Sequence, residues 1–247
     1  MKSKSTIINR LYALGFLVLF VASFLFLFPL FYFLLASEKR HPAAHRLRVA
    51  WAKFLFWSIG VRLEIESDFQ PQKGKAYIFC ANHDSYIDIP VLAVALPLVF
   101  SFMAKNELAR IPLFGYFFRT LDVAVDRGNI RKAPEAYQRA SDKLHKGMSL
   151  LFFPEGGIIR GPALLKPFKS GAFKLAVEHN IGVVPVSLID NRSILPDVEP
   201  PVLFPGRCRV KIHTAIGPYP LEEGAERRLR QETFEVIYNE LAQYHAN

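Results

Sequence analysis

His83 and Asp88 are of residue types that can move a proton near neutral pH. A histidine titrates close to pH 7, and an ionised carboxylate beside it fixes the tautomer, leaving the other ring nitrogen as a general base. The apolar run Ala76–Cys80 leads almost directly into Asn82-His83-Asp84, and a helix is predicted from Ile87. Polar, titratable residues at the carboxyl end of a strand stand where open α/β sheets collect their ligands. The spacing imposes a condition. Five residues of continuous helix turn through about 500°, leaving the two side chains roughly 140° apart. The pair can meet only if His83 lies in the turn and Asp88 in the first helical turn. A His near an Asp is also a common surface or capping contact, so spacing alone leaves both readings open.

Other chemistry in the same segment is weaker. Cys80 lies on an apolar strand, where a buried thiol is the usual outcome, and Ser85 suits a helix cap. His83-Asp84 could be an adjacent ligand pair of a metal-dependent phosphohydrolase, which needs further His and Asp ligands on helices. His41, His45, His145, His179 and His245 read as solvated, and His213 ends a strand with no partner by spacing. No metal is expected. Cys80 and Cys208, the only cysteines, have neither metal-ligand spacing nor the number for a disulfide framework.

These residues need a platform, and 247 residues suffice for a membrane anchor plus one domain of about 180. The formal charge is +9, of which +7 lies within the first 53 residues, through Lys53, and flanks an apolar segment, leaving little for the body. A nucleic-acid-binding domain would carry its basic patch on the folded body, so no nucleic acid is expected and an anionic membrane surface is. From Leu11 to Ala36 no residue is charged. As a helix this run would span about 39 Å, against a hydrocarbon core of about 30 Å. It is too long for a cleaved leader, whose apolar core is about 7–15 residues. Basic residues on both flanks leave two topologies: one span with a cytoplasmic catalytic domain, or a two-helix element embedded from one face. Trp51 and Trp57 suit the interface. The expected division is 1–37 for a tail and a transmembrane or membrane-embedded helix, 38–62 for a basic amphipathic interface helix, and 63–247 for the catalytic domain.

In that domain short apolar runs alternate with amphipathic stretches. Strands are predicted at Ala76–Cys80, Val99–Ala104, Val123–Val125, Leu150–Phe153, Val183–Ile189 and Arg209–His213, and helices at Ile87–Ala95, Ala133–Lys146, Ala172–His179 and Glu222–Tyr244. This is an α/β pattern: a largely parallel, mixed sheet flanked by helices, with an N-terminal membrane-embedded helical element.

Asn82-His83 with Asp88 resembles the signature of the glycerolipid acyltransferase family that includes the 1-acylglycerol-3-phosphate acyltransferases. Three more blocks follow in the family's order: Val125-Asp126-Arg127, Phe153-Pro154-Glu155-Gly156 and Val184-Pro185-Val186. Phe168-Lys169-Ser170-Gly171-Ala172-Phe173 matches the segment after the third block. The third block departs from the family: Gly157 and Ile158 stand where Thr and Arg are common, with Arg160 two residues on. The resemblance implies transfer of a fatty acyl group from a thioester to the sn-2 hydroxyl of 1-acylglycerol-3-phosphate, giving phosphatidate. It makes His83 the base, Asp88 its orienter and Asn82 a support. Substrate contacts would come from Lys105, Arg127, Glu155 and Gly156. Arg127 is the first choice for the phosphate because a guanidinium holds two oxygens at once. A thiol of pKa near 8.5 leaves with little protonation, so one base suffices without an acyl-enzyme on Cys80 or Ser85. The oxyanion is expected to meet backbone N–H groups at the start of the helix after His83. No cofactor is implied; acyl-CoA or acyl carrier protein would be co-substrate, the latter as a partner beside membrane lipid. Other lysolipids or glycerol-3-phosphate would use the same base, whereas a non-enzymatic lipid-binding protein would leave the blocks unused.

Overall fold

A computed structural model describes residues 2–125 and 133–245. Apolar on every side beyond Arg10, α1 (Lys2–Leu35) runs unbroken through Pro29. A short turn at Glu38–Arg40 sends the chain back along it as α2 (His41–Ser58), which has a proline in its first turn, where no intrahelical N–H is lost. One face of α2, including Ala44, Arg48, Ala52 and Leu55, is buried, while Arg46, Lys53, Phe54 and Trp57 point outward. Three expectations change here. Trp51 does not reach the interface: it packs on Phe20, Phe24 and Phe31 and donates to Ser23 Oγ at 2.9 Å. His41 and His45 are buried, not solvated, because α2 docks on the body.

The remaining elements in order are β1 (Val61–Ser67), β2 (Ile78–Ala81), α3 (Asp88–Ala95), β3 (Phe100–Lys105), α4 (Gly115–Thr120), β4 (Val123–Val125), α5 (Ala133–His145), β5 (Ser149–Phe152), α6 (Gly171–Glu178), β6 (Val183–Leu188), α7 (Asn191–Ile194), β7 (Gly206–Ile212) and α8 (Ala225–His245). The strands form one seven-stranded sheet in the order β1-β7-β6-β2-β5-β3-β4. Every pairing is parallel except β6 with β7. β1 was not expected. Its alternation of Val61, Leu63 and Ile65 with Arg62, Glu64 and Glu66 is that of a half-buried edge strand, but it follows the apolar end of α2 without a break.

β2 and β6 are buried at every position, as strands covered on both faces must be. In β2, Phe79 and Ala81 point toward a core with α2 and α3, and Ile78 and Cys80 toward one with α5, α6 and α8. A third cluster joins Phe24, Phe31 and Leu35 of α1 to Trp51 of α2 and Phe117 and Leu121 around α4. The crossovers bring the carboxyl ends of β2, β3, β5 and β6 to one edge of the sheet, where Asn82, His83, Lys105, Glu155 and Gly156 lie.

Candidate active site

Beyond β2 the sheet continues by one side chain. Asn82, fully buried, accepts from Leu188 N at 2.7 Å through Oδ1 and donates to Leu188 O at 2.9 Å through Nδ2. This amide binds the end of β2 to the end of β6 as a ladder residue would. The chain then leaves the sheet at His83 and enters α3 at Asp88, so the condition set by the spacing is met. His83 Nδ1 and Asp88 Oδ2 lie 2.8 Å apart.

Asp88 is fully buried. Besides His83, its Oδ2 accepts from the N–H groups of Asp84 at 2.8 Å and Ser85 at 3.0 Å, and its Oδ1 accepts from Asn191 Nδ2 at 2.7 Å. Three N–H donors besides the imidazole already aim at this carboxyl group, two of them at Oδ2, which suits an acceptor; the matching tautomer has its proton on His83 Nδ1 and its lone pair on Nε2. Among the described residues nothing bonds to Nε2, and the side chain is 13% exposed. The imidazole lies flat on Phe153, with centroids 3.9 Å apart and planes 14° from parallel. Its backbone is fixed as well: His83 N donates to Glu155 Oε1 at 2.9 Å, and Ile159 N donates to His83 O at 2.9 Å.

The N–H groups of Asp84 and Ser85 are spent on Asp88, and that of Ile87 donates to Ser85 Oγ at 3.2 Å. The expected oxyanion donors at this helix start are therefore already engaged. Ser85 Oγ donates to Leu195 O at 2.6 Å, and burial pushes the Cys80 thiol far above its usual range. Neither is poised as a nucleophile.

Glu155, which the resemblance makes a substrate contact, accepts from His83 N and, at 2.8 Å, from Lys166 N through its two oxygens. Burial pushes its carboxyl up to about 8, against the pull of those two N–H groups. Asp84, half-buried beside Asp88, is pushed up to about 6 by burial and by that neighbouring charge. Gly156 has φ +85°, and a Cβ there would lie 2.7 Å from Lys169 Cε and 2.8 Å from Nζ. The exposed Lys169 thus lies across the turn next to His83, a placement that spacing did not reveal. Lys105 ends β3 at the same edge, two strand spacings or about 10 Å sideways from β2. It is more than half exposed and pairs with Glu107 at 2.9 Å. Arg127 lies outside the described residues; Val125, two positions before it, pairs in register with Lys105. Arg160 pairs with Asp197 at 2.7 Å. Among the described residues no three His, Cys, Asp or Glu side chains are grouped to hold a metal ion.

A profile of the acyltransferase family matches residues 61–189, just over half the chain. A 1-acyl-sn-glycerol-3-phosphate acyltransferase of Chlamydomonas reinhardtii is 31% identical over 214 residues, covering 82% of this chain and 63% of the relative. The chloroplastic enzyme of that description from Arabidopsis thaliana is 30% identical, over 74% of this chain and 51% of its own length. This chain therefore spans between half and two thirds of those curated relatives. A lyso-ornithine lipid O-acyltransferase of Pseudomonas aeruginosa is 32% identical over 66% of this chain and 60% of its own. The crystal structure of the 1-acyl-sn-glycerophosphate acyltransferase PlsC from Thermotoga maritima superposes with a TM-score of 0.79 at 25% identity, covering 100% of this chain and 99% of that one.

Proposed function

Because this chain belongs to the acyltransferase family, we propose that it moves a fatty acyl group from a thioester to the sn-2 hydroxyl of 1-acylglycerol-3-phosphate, giving phosphatidate. The observation that carries this reading is an imidazole with Nδ1 held by a buried carboxylate at 2.8 Å and Nε2 open. Nε2 takes the hydroxyl proton as the oxygen attacks the thioester carbonyl. The tetrahedral intermediate collapses, the C–S bond breaks, and the proton passes from His83 to the leaving thiolate. Asp88 stays ionised and stabilises the imidazolium, as the acid of a Ser-His-Asp triad does. A base of this kind contributes about 10²–10⁴ in rate.

Glu155 acts on this site through the His83 backbone. Lys105 and Lys169 at the described edge, with Arg127 from the sequence, supply positive charge for the acceptor's phosphate. Gly156 lets Lys169 approach. The donor is acyl-CoA or acyl carrier protein, and the residues call for no further cofactor. The enzyme sits on the membrane with its catalytic domain on the cytoplasmic face. Ile7–Leu35 is apolar and long enough to cross a bilayer, yet α1 touches the body along its length. Leu203 N donates to Asn9 O at 3.4 Å near one end, and Leu35 is buried at the other. This side-on docking favours embedding from one face, with Arg46, Lys53, Phe54 and Trp57 of α2 at the headgroups.

A second reading keeps the chemistry and changes the acceptor to a phosphate-free lysolipid. The third-block departure at Gly157 and Ile158 and the Pseudomonas relative favour it. Purified full-length protein assayed with lysophosphatidate, glycerol-3-phosphate and lyso-ornithine lipid, each with both donor types, separates the two. His83→Ala should lower acyl transfer by about 100-fold or more while the protein stays folded and membrane-bound. Full activity in that variant would refute the reading, and activity that survives exhaustive chelation removes the phosphohydrolase.

A further inference from the structure

Asn191 opens α7 just beyond β6 and is 1% exposed. Its Nδ2–H donates to Asp88 Oδ1 at 2.7 Å, while its own Oδ1 is buried with no hydrogen-bond partner among the described residues. An amide serving only the fold fills both ends, as Asn82 does with Leu188. Leaving a buried acceptor empty costs free energy, so the contact with Asp88 is what this amide is placed for.

Asp88 explains the need. Oδ2 takes three donors, whereas Oδ1 takes Asn191 alone among the described residues. Without that amide, Oδ1 would be a bare acceptor in the interior, most easily satisfied by binding a proton. A protonated Asp88 cannot support an imidazolium. We propose that Asn191 is a positioning residue for acyl transfer: by filling Asp88 Oδ1 it keeps the proton of the His83–Asp88 pair on the imidazole and keeps Oδ2 turned toward Nδ1. This rests on the general-base reading of His83. The hydroxyl proton goes to Nε2 and leaves on the thiol, and Asn191 neither gives nor takes one.

The turn that carries Asn191 is held independently of Asp88. Arg209 clasps the neighbouring Asp190 through Nε at 2.7 Å and Nη2 at 2.6 Å, and Leu195 N donates to Asn191 O at 3.1 Å. Removing the amide therefore leaves its scaffold in place.

The test uses full-length protein with acyl-CoA and lysophosphatidate, and reads kcat, KM and their pH profiles beside a thermal melt. For Asn191→Ala, kcat should fall about tenfold or more, as for other groups that orient a catalytic one. Both KM values should hold, and the acid limb of kcat should move to higher pH because Asp88 now competes for the proton. For Asn191→Asp, two touching carboxyl groups cannot both ionise. The shared proton supplies a donor to Oδ1 at low pH, so activity should fall as pH rises and that proton leaves, a loss the parent protein lacks. In an Asp88→Asn background, Asn191→Ala should cost nothing more, because its effect runs through Asp88. An unchanged kcat and acid limb in Asn191→Ala, or a further loss in the double variant, overturns the proposal. If Asn191→Ala fails to fold, the alkaline loss in Asn191→Asp decides: its presence supports the role and its absence removes it. An active His83→Ala sinks the general-base reading itself; an inactive one beside a normal Asn191→Ala sinks only the role of Asn191.

Discussion

An imidazole with the base role proposed for His83 must hold both its tautomer and its direction between turnovers, and different neighbours do each. Asp88 sets the tautomer; Phe153 under the ring and Glu155 at the backbone N–H set the direction. The adjoining turn is constrained by shape rather than charge. Gly156→Ala would force a left-handed φ on alanine and push Lys169 off the turn. Gly74→Ala is the control: its φ is +78°, and nothing lies within 4 Å of the added carbon. Both variants should melt lower by a similar amount, about 1 kcal/mol. Gly156→Ala alone should raise KM for a phosphate-bearing acceptor, by about tenfold for one displaced cationic contact. Equal KM values in the two would separate Lys169 from the substrate. The His83–Asp88 pair was legible because a strand gives way to a helix between them, a change of period visible in six residues. Asn191 was not, because 103 residues separate it from Asp88 and only the pairing of β2 with β6 brings them together.

Glu155 belongs to the element scale, because it joins the end of β5 to the loop after β2. Its carboxyl is raised from an ordinary 4.5 to about 8, chiefly by burial. The folded protein thus holds that proton more tightly than the unfolded chain. The stability it contributes is complete below about pH 4.5 and is lost as pH rises toward 8. The melting temperature of the solubilised protein should therefore decline across that window. Glu155→Gln, which cannot ionise, should melt lower but lose this slope; a slope that persists would assign it to other groups. The predicted strands and helices that define the sheet were readable because central strands are continuous apolar runs and the covering helices α5 and α6 are amphipathic. β1 escaped notice because its partner, β7, is far along the chain and its alternation runs on from an apolar helix. The direction of β7, antiparallel to β6 in an otherwise parallel sheet, has no local signal at all.

At the scale of the whole molecule, the apolar N-terminal run was plain, but not how it docks. A helix apolar on every side reads the same whether lipid or protein covers it, so the burial of Ala13, Phe24 and Phe31 could not be separated from the exposure of Leu14, Phe26 and Phe33. The docking changes what truncation should do. Were α1 a simple tether, removing residues 1–36 would release a soluble, active domain. Here it strips the cover from Trp51, Phe117 and Leu121, so the remainder should aggregate, as size-exclusion chromatography would reveal. Under the proposed embedding from one face, the same side-on helix would fix the space in which reactants are found. The protein would then meet its proposed lipid acceptor by lateral diffusion, and the quantity that sets its speed would be the mole fraction of acceptor in the surface. Adding inert phospholipid at constant total acceptor should slow turnover, while diluting the whole suspension with buffer should hardly change it, provided the acyl donor is held saturating.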